Sequence, residues 1–175
     1  LLKSTGKSRE LAIRVPGSVT GSLSRGLDVA TWINDGTADV IIGQNYSIPQ
    51  LIDPMADFTD LVNLAKGKDC RIHAAIQSHL DSDRLSEAPI EMIRATASNY
   101  WRQGIDGLYL AHWFNNWPYE ASFYEKLREL PHPDIMETKD KFYSIATSTG
   151  RYTEPDLEPG LKMQLPVQME EGSAA

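Results

Sequence analysis

Short apolar runs alternate along this chain with stripes of apolar residues spaced three or four apart, the signatures of strands and amphipathic helices. The first run, Leu11 to Val15 (LAIRV), suits a buried strand. After a loop rich in Ser and Gly, LDVATWINDG reads as a short helix: Leu27, Trp32 and Ile33 fall near one face, and Gly36 is placed to end it. Asp39 leads into Val40, Ile41 and Ile42, a β-branched run typical of a strand buried on both faces. The segment QNYSIPQLIDP, with its two prolines, is loop. Phe58, Leu61, Val62, Leu64 and Ala65 then mark a helix closed by Lys66-Gly67-Lys68, and Arg71 to Gln77 (RIHAAIQ) is a third strand. Pro89 to Gln103 is a longer helix, with Pro89 in its first turn and Ile90, Ile93, Ala97, Tyr100 and Trp101 as its apolar stripe. Gly104 ends it and Ile105 to Ala111 is the fourth strand. Ala121 to Leu130 is a last helix, before the prolines of LPHPDI break the pattern.

Four strand-then-helix units in series imply an α/β fold with a parallel sheet and right-handed crossovers. A complete eight-stranded βα barrel takes roughly 250 residues, and four units occupying about 130 amount to half of one. An open, doubly wound sheet is the alternative, but it predicts a glycine-rich phosphate turn after a strand. The one candidate, GSVTG from Gly17 to Gly21, has neither the G-x-G-x-x-G spacing nor the Lys of a P-loop. From Lys141 onward the style changes: Phe142 to Thr147 and Leu161 to Val167 read as short strands joined by a polar stretch bearing Pro and Gly. Residues 1–140 are thus expected to form the βα half-barrel, and residues 141–175 a short β-rich extension or the start of an accessory domain.

The stretch GLDVATWINDGTADVII resembles the segment G-x-D-x-x-x-W-x-x-x-G-x-x-D of bacterial glycoside-hydrolase-like (β/α)8 barrels. Gly26, Asp28, Trp32, Gly36 and Asp39 carry the resemblance. LAKGKDCRIHAAIQ and ATASNYWRQGIDGLYLAHW resemble the seventh strand, following helix and eighth strand of the same group. The likeness runs from about Leu11 to Leu130, and it implies a carbohydrate-related TIM-type barrel of which this chain is the C-terminal half, strands five to eight. In that setting Asp28 begins a helix where free N–H groups favour a carboxylate. Trp32 packs the helix onto the barrel, and Asp39 belongs to the same structural set.

Barrel active sites sit at the C-terminal ends of the strands. Those ends hold Arg14 beside Val15 and Pro16; then Gln44, Asn45 and Tyr46; then Gln77, Ser78 and His79; and last His112, Trp113, Phe114, Asn115 and, a little further, Trp117. Planar side chains cover the apolar face of a pyranose, while amides and Arg bind its hydroxyls. Any one of Asn45, Tyr46 or Trp113 is more often a loop anchor than a ligand contact; the convergence of four strand ends is what points to a carbohydrate. Hydrolysis of a glycosidic bond needs two carboxyl groups, one protonating the leaving oxygen and one acting as base or nucleophile. No Asp or Glu stands directly at a strand end, and related catalytic barrels carry acids near the places where this chain has Arg14 and Gln77. The available acids, Asp53 in IDPMADF and then Asp81, Asp83 and Glu87, lie further out, and each suits a solvated loop or helix cap better than a site; Asp53 is the best single candidate for a catalytic acid.

Composition narrows the field further. The 175 residues are 41% hydrophobic and 23% charged, as in an ordinary globular domain. A net charge of -7 and a pI near 5.0 argue against a nucleic-acid partner. No apolar run reaches the roughly 18 residues needed to span a bilayer, and no signal peptide is present. The first residue is Leu rather than Met, so the chain is expected to be part of something longer, or a processed or incomplete product, and its compartment stays open. Cys70, the single cysteine, excludes an intrachain disulfide and reads as a small core residue. His73, His79, His112 and His132 are scattered, without a zinc motif. A metal-dependent hydrolase built on His79 and His112 would need ligands from other strands, so no metal or cofactor is expected. Three functions remain: part of a glycoside hydrolase, with Asp53 as one acid and part of the site in a missing N-terminal half; a non-catalytic carbohydrate-binding barrel; and a half-barrel that self-associates as a homo-oligomer through its open edges and apolar interior.

Overall fold

The computed structural model describes residues 9–45, 52–80, 87–111 and 121–144. Four strands, β1 (Ala12–Pro16), β2 (Val40–Gln44), β3 (Arg71–Gln77) and β4 (Gly107–Ala111), form one parallel sheet in the order β1-β2-β3-β4. Among the described residues six helices accompany them: α1 (Val19–Leu23), α2 (Val29–Asn34), α3 (Thr59–Ala65), α4 (Ile90–Arg102), α5 (Ala121–Glu129) and α6 (Pro133–Glu137). The expected α/β class with a parallel sheet is therefore what the chain forms. The register sets Arg14 beside Ile42, Ile42 beside His73 and His73 beside Gly107, and further along it sets Gln77 beside Ala111.

Alternation along the strands divides the sheet into two unlike faces. Val15, Ile41, Ile72, Ala74 and Ile76 join Val29 and Ile33 of α2, Leu61 and Ala65 of α3, and Ile93, Ala97 and Tyr100 of α4 in one core, which extends to Phe123, Leu130 and Met136. The helices thus cover a single face. Val40, Ile42, Ala75 and Ala111 form a separate, strand-only cluster on the other. These four are buried within the single chain, so an exposed apolar interior is not what this face presents at their positions. On the same face Arg14 and Tyr109, from the two edge strands of the described sheet, reach across β2 and β3 until the guanidinium lies 6.0 Å from the ring centroid. In a flat sheet three inter-strand spacings of about 4.8 Å would separate those strands.

The boundaries follow local chemistry. Asp28 caps α2, its carboxylate accepting from the Thr31 amide at 3.1 Å and the Thr31 hydroxyl at 2.8 Å; these bonds hold its pKa below the usual carboxylate value. Gly36 follows α2 with φ 70, a conformation that glycine adopts without strain. Trp32 is half-buried against the main core, and the Asp39 carboxylate accepts from the Leu11 amide at 2.7 Å at the entry to β1, so both are structural as expected. Pro89 turns out to be the N-cap of α4 rather than part of its first turn. The fourth strand starts at Gly107, not Ile105; ahead of it the Asp106 carboxylate accepts from the Ile72 amide at 2.8 Å.

Two helices lie where loop or broken pattern was expected. The Ser/Gly segment after β1 contains α1, capped by Ser18, whose hydroxyl accepts from the Gly21 amide at 3.0 Å. In LPHPDI, Pro133 occupies the first turn of α6 and starts a helix instead of ending the pattern. Residues 142–144, the start of the strand expected over Phe142–Thr147, are not in a strand; the Phe142 amide donates to the Glu91 carbonyl at 3.0 Å, against α4. The rest of that strand, and the one expected over Leu161–Val167, fall outside the described residues. α4 and α5 are joined by a buried, two-pronged ion pair: Arg94 Nε and Nη2 donate to Glu129 at 2.6 and 3.3 Å. This contact draws the Glu129 pKa down and the Arg94 pKa up.

Gly43 packs closely under the start of α3. A Cβ there would lie 2.8 Å from Phe58 Cδ1 and 3.1 Å from Leu61 Cδ1, both on fully buried side chains. Gly43→Ala is expected to destabilise the chain by about 1–3 kcal/mol through overpacking. Urea denaturation measures it, and a change below about 0.5 kcal/mol, the scatter of ordinary surface substitutions, would show that Phe58 is free to move.

Candidate functional site

Buried polar side chains concentrate where β2 and β3 end. Gln44 and Gln77 are the last residues of these strands, and Asn45, Ser78 and His79 follow directly; all five are buried. Asp53, 6% exposed, joins them from the loop after β2. Its Oδ2 accepts from Asn45 Nδ2 at 2.7 Å, and its Oδ1 accepts from the Met55 amide at 3.0 Å. The loop is also fastened to the neighbouring strand end, because the Ile52 amide donates to the His79 carbonyl at 2.7 Å. The carboxylate that stands eight residues beyond Asn45 in the chain is therefore a strand-end group in space.

One face of α4 holds the loop in that position. Asn99 Nδ2 donates to the Pro54 carbonyl at 3.1 Å, and Gln103 Nε2 donates to the Ala56 carbonyl at 2.9 Å. Gln103 Oε1 in turn accepts from the Phe58 amide at 2.7 Å. Between them Tyr100, fully buried, donates its hydroxyl to the Asp53 carbonyl. Its ring meets Phe58 edge-on, with centroids 5.0 Å apart and an interplanar angle of 86°, an arrangement contributing about 0.5–1.5 kcal/mol beyond burial. Burial raises the Tyr100 pKa well above its usual value, and the nearby Asp53 charge adds to the effect, so the hydroxyl remains a donor. Asn99, Tyr100 and Gln103 were not recognisable as site residues from sequence. Tyr100 reads there as one member of an apolar stripe, although two amides on the same helix were the available signal.

The expected site residues divide into three groups. Gln44, Asn45, Gln77 and His79 stand at the ends of β2 and β3, where Asp53 is joined to Asn45. Arg14 stands apart, exposed and two residues short of the end of β1, with its guanidinium over Tyr109. Tyr46, His112, Trp113, Asn115 and Trp117 lie outside the described residues, as do Asp81 and Asp83. Glu87 bridges antiparallel to His79 and forms an ion pair with the buried Lys126 of α5, whose pKa is lowered by burial. Next to that bridge the Ser78 carbonyl accepts from the Ala88 amide at 2.6 Å.

Two residues away from the rim behave as core. Cys70 is buried at the entry to β3, and burial pushes its thiol pKa up, away from nucleophile chemistry. His73 packs its ring against Gly107, where an added Cβ would come within 2.8 Å, and burial lowers its pKa. Among the described residues no three His, Cys, Asp or Glu side chains converge to hold a metal, and no helix is long and apolar enough to cross a membrane.

Gln77 differs from Asn45, Asn99 and Gln103. Its side chain is 1% exposed, yet neither Oε1 nor Nε2 has a hydrogen-bond partner among the described residues. Leaving a buried polar group unpaired costs about 1–3 kcal/mol, so such a group calls for a reason. Fold and site together define a parallel α/β chain with buried polar residues at the ends of β2 and β3, among them a carboxylate held by Asn45. No family model matches the chain, and no curated protein is similar to it.

Tyr100→Phe keeps the ring contact but leaves the Asp53 carbonyl without its donor. The variant is expected to lose about 1–3 kcal/mol of stability, the cost of an unsatisfied buried acceptor. Denaturation of the two proteins side by side checks this; equal midpoints and slopes would mean that the hydroxyl does not hold the loop.

Proposed function

We propose that this chain is the C-terminal half of a glycoside-hydrolase-like (β/α)8 barrel, over residues 1–140, and that the rim formed by β2 and β3 takes carbohydrate. The observation that carries the reading is the Asp53–Asn45 pair, a carboxylate and an amide held at a strand end beside Gln44, Gln77, Ser78 and His79. Amides, a histidine and a carboxylate supply donors and acceptors for several hydroxyls at once, which is what a sugar presents. The barrel reading is supported by a strand order that runs without reversal, whereas a doubly wound sheet reverses at its ligand crevice. Helices confined to one face support it too. The span from Arg14 to Tyr109 suits a sheet that curls toward its helix-free face.

In this reading Asp53 is one of the two carboxyl groups of glycosidic hydrolysis. Both of its oxygens accept hydrogen bonds, an arrangement that suits a base, a nucleophile or an electrostatic partner better than a proton donor. The proton donor then comes from the other half of the barrel. The same observation favours a second reading, a non-catalytic carbohydrate-binding barrel. At the described rim Asp53 is engaged by Asn45 and Met55, and Glu87 is engaged by Lys126, so neither carboxyl stands ready to protonate a leaving group.

Asp53→Asn separates the two. For a hydrolase, turnover on a panel of oligosaccharides is expected to fall by roughly 100-fold or more, the usual contribution of an acid–base group, with binding kept within a few-fold. Binding by the parent protein without any turnover selects the non-catalytic reading, and unchanged turnover in the variant removes Asp53 from the chemistry.

A further inference from the structure

We infer that Gln77 is a specificity-determining residue of this rim, and that it selects a neutral, hydroxyl-bearing sugar over an anionic one. The inference rests on the carbohydrate reading and adds the class of sugar and the residue that reads it. The carboxamide of Gln77 lies at the last position of β3, one residue before Ser78 and two before His79. It is buried, and both its oxygen and its nitrogen lack partners among the described residues. On the same face Ala75 lies two residues earlier and Ala111 directly beside it in the register, both small.

Other carboxamides in the fold show what structural use looks like. Gln103 spends its oxygen on the Phe58 amide and its nitrogen on the Ala56 carbonyl, and Asn99 donates to the Pro54 carbonyl. Gln77 does neither, so its hydrogen-bonding capacity is not consumed by the fold. A carboxamide offers two N–H donors and a carbonyl acceptor, without charge. Adjacent sugar hydroxyls match both ends, because each hydroxyl donates one hydrogen bond and accepts others. A carboxylate or phosphate group only accepts: it would satisfy Nε2 but set like acceptors against Oε1.

Two measurements on the 15N-labelled protein test this. The side-chain NH2 resonances of Gln77, assigned by their loss in Gln77→Met, are followed during titration with neutral oligosaccharides and with oligosaccharides of uronic acids. The expected result is a shift of these resonances with a neutral sugar, and binding at least tenfold weaker in Gln77→Met. The thermal midpoint of Gln77→Met should be unchanged or higher, because the amide contributes no hydrogen bond to the unliganded fold; a markedly lower midpoint would overturn the inference by showing a structural role. Neutral sugar binding that leaves the Gln77 resonances in place, or tighter binding of the uronic acids, would overturn it while the carbohydrate reading survives. Binding of no oligosaccharide at all would remove that reading and this inference with it.

Discussion

The position of Asp53 depends on Tyr100, which faces two ways at once. Its ring belongs to the main core and meets Phe58, which fills the space left by the missing side chain of Gly43 on β2. Its hydroxyl leaves that core to hold the Asp53 carbonyl. A closed circuit results, from strand to phenylalanine to tyrosine to loop and back, through Asn45, to the end of the same strand. Each contact is modest in energy, but together they convert a loop carboxylate into a group fixed against the sheet. Packed cores deform little, so the loop inherits the rigidity of the core. The geometry of the Asp53 carboxylate is thus set by the core rather than by the loop alone.

The two faces of the sheet divide the labour. On the helix side nearly everything is apolar and buried, and the charged groups there are paired, as with Arg94 and Glu129. The other face has a small strand-only cluster, crossed by Arg14 and Tyr109. Buried polar groups accumulate at the C-terminal ends of β2 and β3, the end of the strands where parallel α/β sheets of both barrel and open type place their ligands. Gln77 is the clearest of these, because the neighbouring helix shows how fully the fold engages an amide when it uses one.

Much of this architecture is legible in the sequence, since it rests on local periodicity. Arg71–Gln77 is a strand over the very residues that its apolar pattern marks, and the β-branched run at Val40 begins β2. Pattern fails where one residue sets the structure: α1 is a single turn fixed by the Ser18 hydroxyl, and α6 starts at a proline that reads from sequence as a break. The site is legible by half. Gln44, Asn45, Gln77 and His79 follow from knowing where strands end. That Asp53 comes back to Asn45 does not, because the group responsible lies 47 residues further along the chain. Helical spacing identifies Tyr100 as buried; it carries no information about where a phenolic hydroxyl terminates. Whether a buried amide is satisfied is likewise a property of the assembled fold.

The measurement that tests the account most directly is a crystal structure of the protein soaked with a neutral oligosaccharide that it binds in solution. The account predicts a sugar ring at the ends of β2 and β3, with hydroxyls within hydrogen-bond distance of the Asp53 carboxylate and the amides of Asn45 or Gln77. The loop from Ile52 to Phe58 should be in the same place with and without the sugar. A ring bound elsewhere, for example at the N-terminal ends of the strands, or a loop that leaves Tyr100 to receive the ligand, would contradict it.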